Sequence, residues 1–208
     1  DWTGTYTEEG RLNPLVDVAA IYYRDDPILL GFAPQSLPDE YSRFRAITRS
    51  GLLKRNIEAA GVPDVSAVWS HEVGGSSMLH AVAIRQRYPG HAKQAGHVAS
   101  MCQVGNEGNR WVIVTDDDID VVNLEEVIWA ALTRSDPGTS IDLVRGALGA
   151  RSDPRLVPEN RAKGDITNSR LIIDACRPYH WRDQFPEVNK PSPEVAARAR
   201  EKFGHLLG

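Results

Sequence analysis

The 208-residue sequence has few cysteines, no excess of basic charge and no long apolar run. The two cysteines, Cys102 and Cys176, lie far apart with no CxxC partner, which favours reduced thiols over a disulfide or a metal site. A net charge of −4 gives no electrostatic reason to bind nucleic acid or an anionic membrane. No apolar stretch approaches the ~18 residues of a membrane span, and the first residues do not resemble a signal peptide. We therefore expect a cytoplasmic protein that binds neither nucleic acid nor a membrane.

The first third of the sequence mixes strand-like and helix-like patterns. β-Branched and aromatic residues predict a strand at 15–19, a hairpin turn at 24–27 and a second short strand after it. A helix is predicted from about Pro38 to Ala60, and Gly61-Val62-Pro63 ends it. The apolar residues that we expect to form its buried stripe are Phe44, Ile47, Leu52 and Ile57.

Strands alternate with helices after residue 62. The predicted strands are 65–71, 78–85, 111–115, 141–144 and 171–174, and the predicted helices are 90–102, 124–133 and 192–203. This alternation predicts an α/β layer with partly parallel strand pairing. We therefore divide the chain into residues 1–62, the end of a β-rich domain plus a connecting helix, and residues 63–208, an α/β domain. The polar segment 146–170 is predicted to be a long ordered loop.

The chain opens on Asp1-Trp2-Thr3-Gly4 without an initiator Met, in what already reads as structured sequence. Natural chain starts are usually polar and frayed. We therefore expect further protein upstream of Asp1.

Three stretches, in this order and at these spacings, resemble the UbiD-type decarboxylases. Asp1-Trp2-Thr3-Gly4, followed by residues 21–29, is similar to the family's acidic-x-x-Gly segment and the hairpin after it. Tyr88-Pro89-Gly90-His91-Ala92-Lys93 resembles its YxGHAK stretch. Residues 112–120 and 133–137 resemble its strand–DDDID–helix–TR signature. Together these stretches cover nearly the whole chain, which is similar to the C-terminal part of a longer family member.

The resemblance implies a fold and an activity. The implied fold is the end of a split β-barrel (flavin-reductase-like) domain over residues 1–62, then a C-terminal α/β domain with a mixed sheet and an oligomerising terminal helix over residues 63–208. The implied reaction is the reversible, non-oxidative decarboxylation of an aromatic or α,β-unsaturated acid with prenylated FMN. The Trp2-Thr3-Gly4 variant favours a hydroxyarene acid, although Thr5 stands where a Tyr is usual and leaves the substrate branch open.

The resemblance also implies cofactors and partners beyond this chain. Mn²⁺ and K⁺ would be held by residues upstream of Asp1, so we expect no metal ligands here. The implied partners are the missing N-terminal half of the same enzyme, further copies in a homodimer or hexamer, and an FMN prenyltransferase that supplies the cofactor. Without that upstream half we expect this chain alone to be inactive.

Site residues follow from the same resemblance. Asp1 matches the acidic residue that acts on the substrate's α-carbon, and a carboxylic acid in a low-dielectric pocket can donate a proton near neutral pH. Lys93 matches a basic residue near the cofactor phosphate, at a helix start that favours anions; the alternative is a lysine in solvent. The positions that match the substrate pocket are Pro34, Tyr41, Arg45, Ala150 and Ser152.

Other patterns have plainer explanations that we weigh against function. The carboxylates of Asp116, Asp117, Asp118 and Asp120 could bind a cation, but their spacing is not that of an EF-hand, and we favour turn and helix-cap roles. His91 and His97 do not share a helix face, which favours structural roles over metal binding. The alternative function is a non-catalytic binding or scaffold subunit that retains the fold. An upstream half carrying an Arg and a Glu would favour the enzyme.

Overall fold

The computed structural model describes residues 2–7, 12–33 and 35–206. The first regular element is helix α1 (Glu40–Ala59), which confirms the helix predicted at 38–60. Asp39 begins it with a capping box: its carboxylate accepts from the Ser42 amide at 2.7 Å, and its own amide donates to Ser42 Oγ at 2.9 Å. Gly61 follows the helix with a φ of +87°, a conformation that glycine adopts without strain.

The buried face of α1 differs from the predicted stripe. Phe44, Ile47 and Leu52 are more than half exposed, so the prediction was wrong for every member except Ile57. The helix instead buries small and aliphatic residues at helical spacing, namely Ser42, Ala46, Ser50, Leu53 and Ile57. Ser50 belongs in this set because its hydroxyl accepts from the Ser70 amide at 2.9 Å and donates to the Ala46 carbonyl. A polar residue on the buried face thus joins α1 to the sheet.

The centre of the molecule is a five-stranded mixed sheet. Its strands are β1 (Val65–Ser70), β2 (Leu79–Ile84), β3 (Trp111–Asp116), β4 (Ile141–Leu148) and β5 (Thr167–Ala175). They lie in the order β1-β2-β3-β5-β4, with β2, β3 and β5 parallel and the two edge strands antiparallel to their neighbours. The predicted α/β class with a mixed sheet is confirmed. We call the edge where the parallel strands begin the amino edge, and the edge where they end the carboxyl edge.

Five more α-helices follow α1 among the described residues. They are α2 (His91–Met101), α3 (Gln103–Asn106), α4 (Leu124–Arg134), α5 (Pro158–Lys163) and α6 (Pro193–Phe203). One core lies between the sheet and α1 and α2, and a second lies under α4. Gly96 lets α2 approach the sheet closely, since a Cβ there would lie 2.4 Å from Ile172 Cγ2.

The segment 146–170 is not the long loop that its composition predicts. It contains the end of β4, the short helix α5 and the beginning of β5. The β4–β5 ladder extends as far as the Leu148–Thr167 pair, and Gly164 ends α5 in the left-handed region at a φ of +77°. Polar residues are compatible with these elements because an antiparallel edge strand can expose one face to water.

The predicted strands before Pro34 are absent from this structure. Residues 12–33 are all exposed, and none of them has a strand partner among the residues that the structure describes. Only a bend at 25–26 remains of the predicted hairpin. A strand needs the backbone groups of a neighbour, so apolar alternation alone did not create one. The assignment of residues 1–62 to the end of a split β-barrel stays a prediction.

Candidate functional site at the amino edge of the sheet

Trp2 packs against two glycines that precede the central strands. A Cβ on Gly75 would lie 2.9 Å from Trp2 Cε3, and one on Gly108 would lie 3.0 Å from Cη2. Both glycines also have positive φ angles, +59° and +71°, so a side chain would be strained as well as obstructed. Because Gly75 comes just before β2 and Gly108 just before β3, they hold the indole at the amino edge.

Aromatic rings surround the guanidinium of Arg45 on helix α1. Its Cζ lies 5.5 Å from the centre of the Trp2 ring and 5.4 Å from that of Tyr41. Tyr41 in turn stacks on Phe32, with ring centres 4.0 Å apart. Such a cation is attracted to ring faces and retains donors for a ligand. We call Trp2, Phe32, Tyr41 and Arg45 the aromatic–arginine cluster.

Ala150 approaches this cluster from a distant part of the sequence. It is buried, and its Cβ would lie 3.7 Å from a Cβ on Gly108, the residue that supports Trp2. The Gly149 amide donates to the Ile166 carbonyl at 2.9 Å and so fixes the turn after β4. Ser152 follows two residues later and is half-buried.

The structure therefore brings Tyr41, Arg45 and Ala150 to one edge, as the resemblance implies. Asp1 and Pro34 lie outside the described residues, and their roles stay predictions.

Lys93 lies elsewhere. Its ammonium is 2.9 Å from Asp142 Oδ1, and His97 Nε2 is 3.2 Å from Asp142 Oδ2. The hydrogen bond from Lys93 is the main reason why the pKa of Asp142 is below its usual value. Asp142 lies six residues before Leu148, a rise of roughly 20 Å along the strand. The structure thus separates Lys93 from the aromatic–arginine cluster and occupies its ammonium with a carboxylate.

Arginines, rather than a metal ion, neutralise Asp116 at the end of β3 and Asp118 after it. Arg134 binds Asp118 through two parallel hydrogen bonds of 2.8 and 2.7 Å, which hold the pKa of Asp118 below its usual range. Asp116 is buried and accepts from Arg134 and Arg177. Across residues 2–7, 12–33 and 35–206, no three or more His, Cys, Asp or Glu side chains are grouped to hold a metal ion. These contacts give the aspartates a structural role.

The predicted structural role of His91 matches its contacts. Its Nδ1 accepts from the Arg87 amide at 3.3 Å, so Nε2 carries the proton and donates to the Pro63 carbonyl at 3.1 Å. Burial lowers the pKa of His91.

Both cysteines are free thiols, and burial raises the pKa of each.

Sequence reasoning missed Arg170, which is 1% exposed on β5. Its terminal nitrogens donate to the Ser100 carbonyl, to the Asn106 carbonyl and side chain, and to the Leu148 carbonyl. It therefore joins helices α2 and α3 to the end of β4, from which the Ala150 turn departs. One sequence signal could have found it: Arg170 is a charged residue directly before the apolar run 171–173, a position typical of a buried strand. An arginine buried there needs several hydrogen-bond acceptors, which predicts a structural role.

Three comparisons with known proteins agree with this fold. By fold, the chain is similar to the structure of 3,4-dihydroxybenzoic acid decarboxylase from Enterobacter cloacae, with a TM-score of 0.66 at 21% identity, over 79% of this chain and 34% of the other. Residues 43–175 match the family model described as the 3-octaprenyl-4-hydroxybenzoate carboxy-lyase C-terminal domain. The chain therefore belongs to the UbiD family.

Individual relatives are similar over most of this chain. The phenolic acid decarboxylase of Sedimentibacter hydroxybenzoicus is 27% identical over 100% of this chain and 41% of its own length. The anhydromevalonate phosphate decarboxylase of Methanothermobacter thermautotrophicus is 29% identical over 91% and 42%. The UbiD-class enzyme HmfF from Pelotomaculum thermopropionicum, solved in complex with FMN, has a TM-score of 0.61 at 27% identity over 71% and 31%. The chain thus spans about two fifths of the length of these curated relatives.

Proposed function

We propose that this chain is part of a carboxy-lyase that reversibly decarboxylates an aromatic acid, with a hydroxyarene acid favoured, using prenylated FMN. The observation that carries the proposal is the aromatic–arginine cluster at the amino edge of a UbiD-family fold. A guanidinium between two ring faces fits a flat substrate with a polar or charged substituent. The relatives named for phenolic and dihydroxybenzoic acids support the same substrate class.

The residues of this chain fit one wall of such a pocket. Tyr41 is proposed to line the wall beside Phe32, on which its ring stacks, and Arg45 to donate to a substituent of the substrate. The small side chain of Ala150 is proposed to leave room for the substrate, and Ser152 and Pro34 are proposed to complete the wall. When bound, prenylated FMN supplies an electron sink for the carbanion left by the loss of CO₂. We assign no part of cofactor binding to Lys93, because its ammonium pairs with Asp142 far from this wall.

The remaining parts of the site are proposed to be metal ligands from outside this chain and Asp1 from within it. The Mn²⁺ and K⁺ ligands belong to the rest of the enzyme in this proposal. Asp1 is proposed to hold the proton that replaces CO₂ on the substrate carbon, a contribution typically worth on the order of 10²–10⁴ in rate.

The full enzyme, co-expressed with an FMN prenyltransferase, provides the test. We expect CO₂ release from hydroxybenzoic acids, and a loss of about 10²–10⁴ in rate for Asp1→Asn. Asp17→Asn is the matched control, because Asp17 is exposed in the extended segment and should leave the rate unchanged. Full activity in Asp1→Asn would refute the proton-donor role. No flavin and no turnover in the full enzyme would favour the non-catalytic scaffold.

The role of Arg45 is tested separately by kinetics. Arg45→Gln removes the cation between the two rings and should raise KM for a substituted aromatic acid by roughly tenfold, the loss of one charge-assisted contact. Arg55→Gln makes the same charge change on an exposed face of the same helix and should leave KM unchanged. Equal KM values in the two variants would remove Arg45 from the substrate pocket.

The terminal helix α6 is the element that we propose for contacts between copies of the chain. Helix α6 has no buried residue, and Val195 and Phe203 remain about half exposed on it. We propose that this helix docks on another copy in a homodimer or hexamer in the cytoplasm. None of the helices among the described residues is long and apolar enough to cross a membrane.

A further inference from the structure

The carboxyl edge of the sheet carries a cleft that the proposed reaction does not use. Its volume is about 420 Å³, and it opens where β2, β3 and β5 end. It is lined by Arg85, Gln86, Arg87, Asp116, Asp117, Arg177, Arg182 and Asp183. We call it the carboxyl-edge arginine cleft.

The floor of the cleft is fixed by a carboxylate whose two oxygens both accept hydrogen bonds. Asp116 accepts from Gln86 Nε2 at 2.7 Å, from the backbone amide and Nε of Arg177 at 2.8 and 2.9 Å, and from Arg134 at 3.3 Å. Gln86 Nε2 also donates to the Arg177 carbonyl at 2.9 Å. These bonds join the ends of all three parallel strands, so the floor is rigid before any ligand arrives.

Each arginine of the cleft is held through its Nε atom. Arg85 pairs with Asp117 at 3.1 Å, Arg177 with Asp116 at 2.9 Å and Arg182 with Asp183 at 3.4 Å, and Arg87 pairs with Asp64. Arg182 is further fixed by a 2.9 Å bond from Nη1 to the Gln86 carbonyl and by the Tyr179 ring beneath it.

The outer nitrogens of these arginines remain available. Within the described part of the chain, both Nη atoms of Arg85, Arg87 and Arg177 have no hydrogen-bond partner. A guanidinium already held at Nε loses less side-chain entropy when its outer donors bind a ligand. The paired aspartates also offset the repulsion among the cations, which keeps the empty cleft stable.

A helix start next to the cleft favours the same kind of ligand. An adjoining cavity of about 190 Å³ shares Gln86 and Arg177 with the cleft and is also lined by Gly90, Ala92 and Lys93. These last residues begin the 11-residue helix α2, whose amino end carries partial positive charge. Open α/β sheets commonly bind ligands in a crevice outside the carboxyl ends of their strands.

We propose that the carboxyl-edge arginine cleft binds the phosphate group of a small-molecule ligand through the outer nitrogens of Arg85, Arg87, Arg177 and Arg182. Several forked donors around one cavity match a tetrahedral dianion better than a single planar carboxylate. The site is separate from the substrate pocket, since the two lie at opposite edges of the sheet.

The test is a calorimetric titration of the full chain with inorganic phosphate and with pyrophosphate at low ionic strength. We expect saturable binding that weakens steeply with added salt. The double variant Arg85→Gln/Arg182→Gln removes two rim cations without touching the Asp116 floor and should bind at least roughly tenfold more weakly. The matched control is Arg55→Gln/Arg145→Gln, which removes two exposed cations elsewhere and should bind as the unchanged chain does.

Three outcomes would overturn the proposal. They are the absence of saturable binding, equal binding by the two double variants, and equal binding of acetate and phosphate. Sedimentation of the same samples identifies a different occupant: if phosphate fails to bind and only the cleft variant changes its oligomeric state, the cleft is a contact between copies. Near-UV circular dichroism of each variant verifies that it is folded. The titration needs no flavin, so its result does not depend on the proposed decarboxylation.

Discussion

Single buried side chains carry much of the organisation of this molecule. Arg134, with 1% of its side chain exposed, joins the end of α4 to Asp116 and Asp118 after β3. The structural role of the acidic run 116–120 can therefore be assigned only when the arginines that contact it are known. The sequence predicted turn and cap residues there. The arginine partners lie far away in the chain: Arg134 is 16 residues from Asp118, and Arg177 is 61 residues from Asp116.

Arg134→Met should strongly destabilise the fold. The substitution keeps much of the apolar stem but leaves Asp116 buried with fewer donors, and breaking a buried ion pair typically costs about 3–5 kcal/mol. Urea unfolding followed by circular dichroism measures the loss. Arg145→Met, an exposed change on β4, should alter the free energy of unfolding by less than about 0.5 kcal/mol. Similar values for both variants would show that the buried pair contributes little.

His80 should make stability depend on pH. Burial, together with the nearby charges of Arg49 and Arg170 and with His71, lowers its pKa to about 3, whereas an unfolded histidine titrates near ~6.5. The unfolded state therefore binds the extra proton between these values, and the free energy of unfolding falls as pH drops below ~6.5, by up to about 1.4 kcal/mol per pH unit.

Denaturant unfolding at several pH values from 7 to 5 measures this slope. His80→Asn should make it shallower, because the ring that resists protonation is gone. His205→Asn, at an exposed position near the end of the chain, should leave it unchanged. A slope that is the same in all three proteins would assign the pH dependence to other groups, such as His71 and His91, whose pKa values burial also lowers.

At the scale of elements, close packing of α2 on the sheet depends on Gly96. An Ala there would gain about 1 kcal/mol of helix propensity but place its Cβ 2.4 Å from Ile172 Cγ2 and 3.2 Å from Val114 Cγ2. Overpacking costs about 1–3 kcal/mol, so we expect Gly96→Ala to lower Tm.

Gly51→Ala is the opposite case on α1. Nothing lies within 4 Å of a Cβ at this position, so the substitution should stabilise the protein by about 0.5–1 kcal/mol. Thermal unfolding of both variants compares the two effects directly. If Gly96→Ala were also stabilising, the contact between α2 and β5 would be looser than the structure shows.

Element types were predictable where local signals and burial agree. The buried strand 111–116 and the capped helix at 40–59 were found because apolar runs, caps and Gly-Pro stops point to the same structure. The buried face of α1 was not predicted, because Ser50 is buried where it hydrogen-bonds the Ser70 amide of β1, which hydrophobicity does not indicate. The prediction of a loop at 146–170 was wrong for a related reason: edge strands and short helices need few apolar residues, so a polar composition does not exclude them.

The candidate site shows the same limit. Tyr41, Arg45 and Ala150 were found through the family resemblance, but only the fold shows that Trp2 connects them by resting on Gly75 and Gly108. Lys93 was predicted to lie near the cofactor phosphate, and the fold adds that its ammonium pairs with Asp142 of β4, away from the aromatic–arginine cluster. Sequence patterns indicate which elements form, but they do not give the distances between residues on different elements.

At the scale of the whole molecule, α6 should contribute to assembly and little to the stability of one copy. None of its residues is buried, and the contacts it makes are chiefly with the turn that follows it. A chain ending at residue 191 should therefore keep its Tm within a few degrees while losing its oligomeric state. Analytical ultracentrifugation and thermal unfolding measure the two quantities. A large drop in Tm with unchanged mass would place the helix in the fold of a single copy instead.

The exposed run 12–33, which has no helix or strand, has a consequence for handling this chain. Its backbone has no strand partner among the described residues, and its tyrosines and leucines are open to solvent. Proteases cut most readily where a chain can lie extended in their clefts, and chymotrypsin prefers large apolar side chains. Brief digestion should thus remove this run first and release a resistant fragment that begins near α1, a convenient unit for crystallisation.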